Sequence, residues 1–160
     1  MSDVVIRPMR FGAPVAQRMV AEALQELTQR YGEADGNPIE SIQFDPPEGI
    51  FLVAWLDGQP VGCGGWRTIE HVGPLGVPEE VAEIKRMYVA PAARNAGVAT
   101  SLLAALESAA RECGIRRIVL ETGGKQPEAI ALYTKVGYRT ITNYGYYKDE
   151  PDTVSFGRDL

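Results

Sequence analysis

The residues best able to do chemistry form the run Arg94-Asn95-Ala96-Gly97-Val98-Ala99, between an apolar segment ending near Val89 and an amphipathic one beginning at Gly97. Small side chains let a ligand approach the main chain there, and a helix starting at this point leaves several N–H groups unpaired at its positive end. A diphosphate suits such a turn, with Arg94 able to add a charge-assisted bond. By itself an Arg-x-x-Gly-x-Ala run is more often a plain turn, so its setting must decide. A second concentration of polar and aromatic groups follows at residues 144–152. Tyr144, Tyr146 and Tyr147 crowd around Gly145 beside Lys148, Asp149, Glu150 and Asp152. Aromatic walls beside carboxylates suit a cationic amine, and equally a tyrosine-rich hairpin that covers the core. His71, the one histidine, lies in a Gly- and Pro-rich stretch and reads as a mobile surface position rather than a base.

The elements that position these groups follow from periodicity and punctuation. Residues 4–7 are β-rich, and residues 13–30 carry Val15, Met19, Ala23, Leu24 and Leu27 at helical spacing. Residues 31–48 hold Gly32, Gly36, Pro38, Pro46 and Pro47, which predicts a loop with at most one helical turn. Residues 50–56 and 59–69 flank Asp57-Gly58, a strong hairpin signal. After a turn-rich connection at 71–80, residues 81–89 read as a third meander strand stopped by Pro91. The clearest helix spans 97–113, with Val98, Leu102, Leu103, Leu106 and Ala109 on one face and Gly114 at its end. A buried strand at 117–121, a helix at 127–136 and strands at 138–143 and 153–158 complete the chain. The meander supplies antiparallel pairs and the crossover from 81 to 121 a parallel one, so the expected fold is α/β with a mixed, mainly antiparallel sheet flanked by helices.

Composition narrows the classes. A chain of 160 residues is long enough for one domain, here 1–160, and 45% apolar with 23% charged residues is ordinary for a globular protein. A net charge of −5 argues against a nucleic-acid or anionic-membrane surface. The start lacks a basic region followed by an apolar stretch, and no apolar run approaches membrane-spanning length. Cys63 and Cys113 have no metal or redox spacing. The expectation is a cytoplasmic protein with reduced thiols, although a single bridge between the two cysteines is not excluded by the sequence. One histidine and two distant cysteines offer no metal-ligand cluster, and a phosphate loop past mid-chain, after a meander, disfavours a dinucleotide-binding dehydrogenase.

In this setting the chain resembles the GCN5-related N-acetyltransferase superfamily. The family pattern is Arg or Gln, two residues, Gly, one residue, then Gly or Ala between a strand and a helix, and Arg94, Gly97 and Ala99 match it. A second family signature, an Asn-rich helix start running into Leu-Tyr and then Gly-Phe, resembles residues 126–138, from Gln126 through Leu132-Tyr133 to Gly137-Tyr138. Gln126 stands where Asn is usual. The resemblance covers the chain in element order and is specific from residue 81 to 138.

The resemblance implies a splayed strand pair, with acetyl-CoA as cosubstrate and its pantetheine arm along the main chain of Met87, Tyr88 and Val89. It further implies a diphosphate on the amides of Arg94, Asn95, Ala96, Gly97, Val98, Ala99 and Thr100, and contacts from Gln126 and Tyr133. Transfer to an amine needs one group to take a proton from the ammonium and one to protonate the leaving thiolate. Tyr133 holds the position of the family's usual general acid, though a tyrosine there also suits an amphipathic core. Glu83 lies at the offset of the catalytic glutamate in one branch of the family. Period-two alternation puts Glu83, Lys85 and Met87 on one strand face, and a structural salt bridge of Glu83 with Lys85 or Arg86 is an equal alternative. Acceptor contacts fall to residues 30–48 and 143–152, with Tyr31, Trp66, Tyr144 and Tyr146 as candidates, although packing suits Trp66 better. The resemblance implies a small-molecule or peptide amine as acceptor and makes a homodimer common. A non-catalytic acyl-CoA-binding module would keep Arg94, Gly97 and Ala99 without needing Tyr133 or a base.

Overall fold

The computed structural model describes residues 3–37 and 39–160; Met1, Ser2 and Pro38, the last one of the expected loop breakers, lie outside the described residues. The strands β1 (Val5–Pro8), β2 (Gly49–Leu56), β3 (Gln59–Val72) and β4 (Pro78–Val89) form an antiparallel meander. The chain then crosses through helix α2 (Val98–Glu112) to β5 (Arg117–Gly123), which runs parallel to β4. β7 (Thr153–Asp159) inserts between β5 and β6 (Arg139–Ile141), giving the order β1-β2-β3-β4-β5-β7-β6 in one seven-stranded sheet.

Local chemistry sets these elements. Asp57 and Gly58 adopt φ of 51° and 76°, the paired left-handed conformations of a tight turn whose twist matches the β2–β3 hairpin. The β3–β4 pairing continues to Val72↔Pro78, so the expected connection at 71–80 shrinks to residues 73–77. Pro78 is tolerated as the first residue of its strand. His71 therefore belongs to a strand and is buried at 8% exposure, which corrects its reading as a mobile surface residue.

Helix α1 (Pro14–Tyr31) packs Met19, Val20 and Ala23 against Phe51, Val53, Cys63 and Tyr88 on one face of the sheet. On the other face α2 and α3 (Pro127–Lys135) cover Leu52, Ala54, Trp66, Ala82, Ile84, Ile118 and Leu120, with Leu102, Leu103 and Leu106 at the centre. Both cysteines are free, Cys63 buried and Cys113 exposed. Among the described residues no helix is long and apolar enough to cross a membrane.

Two irregularities shape the centre. The β4–β5 ladder consists of Ala82↔Ile118 and Glu83↔Val119 alone, so the strands separate towards Val89 and Gly123. In β4 itself, Arg86 takes φ of 59° and the register with β3 jumps from Cys63↔Tyr88 to Gly65↔Lys85, so Arg86 and Met87 together oppose Gly64. A side chain at 64 would displace Met87, because a Cβ there would stand 2.4 Å from Met87 Sδ.

Candidate active site

The bulge at Arg86 overturns the expected alternation. Glu83 and Lys85 share the α1 face, but the extra residue turns Met87 to the α2 face, where it packs on the core beside Ile84. Main-chain groups of β4 beyond Glu83 have no strand partner in β5. The carbonyl of Val89 accepts from Arg94 Nε at 2.9 Å, so this predicted cofactor contact is committed to closing the turn. The guanidinium also reaches Glu26 on α1 at 2.6 Å. Arg94 thus braces the loop against both the strand and the helix.

Asn95 and Gly97 are left-handed, at φ of 65° and 79°, and α2 begins at Val98 with no side-chain cap. The Ser101 amide bonds to the Gly97 carbonyl at 3.0 Å. The amides of Val98, Ala99 and Thr100 precede that first helical bond. No atom lies within 4 Å of where a Gly97 Cβ would stand. An uncapped helix N-terminus with an open approach at Gly97 has the geometry to receive an anionic group.

Tyr133 lies on the α3 face, 5.5 Å from the Tyr138 ring and 5.9 Å from Phe156, whose strand partner is Leu120. Burial pushes its pKa well above the ordinary phenol value, so it keeps its proton. Gln126, at the N-cap of α3, points its amide at the Tyr31 hydroxyl at 3.4 Å rather than capping the helix. Tyr31 itself packs over Gly123, and Arg30 bonds the Lys125 carbonyl and Glu128, so the end of α1 clasps the turn after β5.

The α1 face of the opening holds a polar network. Glu83, 3% exposed, accepts from Arg67 Nε at 3.1 Å and from the Tyr144 hydroxyl at 2.7 Å. Its cationic partner is therefore Arg67, not Lys85 or Arg86. Arg86 pairs with Asp35 at 2.7 Å, and Asp35 also accepts from Tyr147. Burial alone would raise the Asp35 pKa, but the Tyr147 hydroxyl, the Asn37 amide and Arg86 outweigh it and hold it below the usual value. Tyr144 meets His71 edge-on at 5.2 Å, and Tyr146, 58% exposed, packs against Tyr147. Trp66 is a correction: it is 1% exposed on the opposite face and donates to the Leu106 carbonyl at 3.0 Å, so it belongs to the core and not to an acceptor pocket.

The sequence reading passed over Glu121. It follows Val119 on the α1 face of β5, where the strands have parted, and both of its carboxylate oxygens are buried without a partner in hydrogen-bonding geometry. Burial raises its pKa, Lys85 pulls it back, and Glu83 adds to the rise; the Tyr147 and Gly145 amides nearby favour the charge. The available signal was a lone carboxylate ending an otherwise apolar strand.

Comparison with known proteins agrees with this geometry. Residues 15–138 match the model of the acetyltransferase (GNAT) family. An IAA acetyltransferase of Azospirillum brasilense is 35% identical over 148 residues, covering 90% of this chain and 92% of that protein. A candidate acyl-CoA N-acyltransferase from Klebsiella pneumoniae superposes with a TM-score of 0.76 at 29% identity, over 98% of this chain and 97% of that one. A GNAT family acetyltransferase from Elizabethkingia anophelis, solved with acetyl-CoA bound, shares the fold at a TM-score of 0.67 and 20% identity, covering 98% of each chain. The match over most of its length, on a sheet splayed beside an uncapped helix start, means that the chain belongs to the GNAT acetyltransferase family.

Proposed function

We propose that this protein transfers the acetyl group of acetyl-CoA to a primary amine by direct attack. The observation that carries the reading is the separation of β4 from β5 beside the uncapped start of α2, with Glu121 and Tyr133 on opposite sheet faces of β5. Bound acetyl-CoA supplies a thioester whose carbonyl carbon an amine can attack. The α2 amides from Val98 to Thr100 hold its diphosphate, and the edge of β4 after Lys85 that has no β5 partner lines its arm.

Of the two glutamates, Glu121 is the better base. Both Glu83 oxygens already accept strong bonds, whereas among the described residues those of Glu121 have no partner in hydrogen-bonding geometry, and burial raises its pKa in the direction that favours proton uptake. Glu121 takes one proton from the ammonium, the nitrogen bonds to the acyl carbon, the carbon–sulfur bond breaks as Tyr133 gives its proton to the departing sulfur, and the second proton lost by the nitrogen restores the tyrosine through solvent. Glu83 then positions Arg67 and Tyr144 on the acceptor side, with Tyr31 and Tyr146 further out.

Thiol release from acetyl-CoA across a panel of amines tests the reading, with wild type set against Tyr133→Phe and Glu121→Gln. Amine-dependent release that falls about 100-fold in each variant, with acetyl-CoA binding retained, is the expected result. Tight acetyl-CoA binding without turnover on any amine would leave a binding module instead.

A further inference from the structure

Two arginines on the α1 face of the opening already hold carboxylates. Arg67 bonds Glu83 and Gln43, and Arg86 bonds Asp35. Lys85 differs: it is largely buried, and among the described residues it has no hydrogen bond or ion pair. Its position is defined by register. Glu83 opposes Val119 in the last rung of the parallel ladder, so the next residues on the same face, Lys85 and Glu121, look at each other across the gap where the strands have parted. Burial disfavours the Lys85 ammonium and Arg67 repels it, while Glu83, then Glu121 and Asp35, attract it, yet among the described residues it forms a salt bridge with none of them. Gly145 closes over the Glu121 carboxylate, where even a Cβ would stand 2.4 Å from Oε1.

An ammonium and a carboxylate that face each other, both withdrawn from water and neither held by a side-chain partner in hydrogen-bonding geometry among the described residues, constrain what can enter. An acceptor bearing only an amine would engage Glu121 and bring a second cation beside the buried Lys85 ammonium, which among the described residues has no hydrogen-bonded counter-ion of its own, and that is costly. A molecule carrying both charges close together satisfies both groups at once. We propose that the acceptor is a carboxylate-bearing amine of the amino-acid class, its nitrogen held at Glu121 and its carboxylate at Lys85. This assignment rests on the acetyl-transfer reading above. Lys85 is on this account a specificity residue that binds the acceptor's carboxylate.

The test is a thiol-release assay with acetyl-CoA and matched acceptors: an amino acid, its carboxamide and its decarboxylated amine, for several side chains. The expected result is a kcat/KM for the acid about tenfold or more above both partners, expressed mainly in KM. The carboxamide has the more easily deprotonated amine, so intrinsic reactivity runs against this order. Lys85→Met should erase the preference and Lys85→Arg should keep it. Carboxamides or simple amines used as well as the acids by wild type, or a preference that survives in Lys85→Met, would overturn the assignment and leave acetyl transfer standing. Absence of turnover on every amine would bring down both.

Discussion

Tyr144 donates its hydroxyl to Glu83 Oε2 at 2.7 Å, joining the connection between β6 and β7 to the middle of β4. With Arg67 on the other oxygen, Glu83 is a hub that fixes one wall of the opening, and its proton-accepting positions are already used. Glu83→Gln should therefore destabilise the fold by about 2 kcal/mol, the scale for disturbing a buried pair, while lowering kcat less than tenfold. Glu121→Gln should lower kcat about 100-fold or more. Thermal melts and steady-state rates on the two variants check the contrast, and the reverse ranking in kcat would return the base to Glu83.

The raised pKa of Glu121 has a stability consequence of opposite sign. Folding holds its proton more tightly than the unfolded chain does, because burial, above all, penalises the charge. Its favourable contribution is thus complete below the unfolded value of 4.5 and is lost as pH rises through the higher folded value. Above that folded value the wild type carries a poorly solvated carboxylate. Glu121→Gln should melt at a higher temperature than wild type near neutrality, with the difference shrinking on acidification. A difference that grows towards acid would show that the carboxylate is stabilised by its surroundings.

The contrast between the two glutamates also marks how far the sequence could be read. Helices, hairpin and crossover followed from periodicity, Asp57-Gly58 and the apolar runs, because those signals are local. The phosphate turn was legible for the same reason: Gly97 and the start of α2 are adjacent in the chain. What was not legible depends on pairing between distant strands. The bulge at Arg86 breaks period two because β3 presents Gly64, which leaves room for Met87, and no residue of β4 announces it. Glu121 looked like the polar end of a buried strand until β4 was seen to part from β5 just before it. Trp66 and His71 changed places for a related reason: strand face and hairpin length, not residue type, decided which one faces the polar network.

Tyr133 offers a variant in which chemistry and stability separate. Its ring packs between Tyr138 and Phe156, and among the described residues its hydroxyl makes no hydrogen bond. Tyr133→Phe keeps the ring, so its melting temperature should stay near that of wild type, within about 1 kcal/mol of stability. The kcat should fall by about 100-fold with little change in acetyl-CoA affinity. A large loss of stability with unchanged kcat would assign the tyrosine to the core alone.

Gly97 separates backbone strain from crowding. Its φ of 79° is left-handed, and no atom lies within 4 Å of a Cβ built there, so alanine would meet no clash in the protein. The cost of Gly97→Ala is conformational, about 1 kcal/mol. The same strain acts on the N-cap of α2 and tilts the amides of Val98 to Thr100 away from the positions in which they can receive a diphosphate. Acetyl-CoA affinity should accordingly weaken by about tenfold or more, a larger loss than the stability change alone would transmit while the fold remains populated. Calorimetric titration with acetyl-CoA beside a thermal melt measures both quantities. A variant that loses stability but binds acetyl-CoA as tightly as wild type would remove the α2 amides from the binding site.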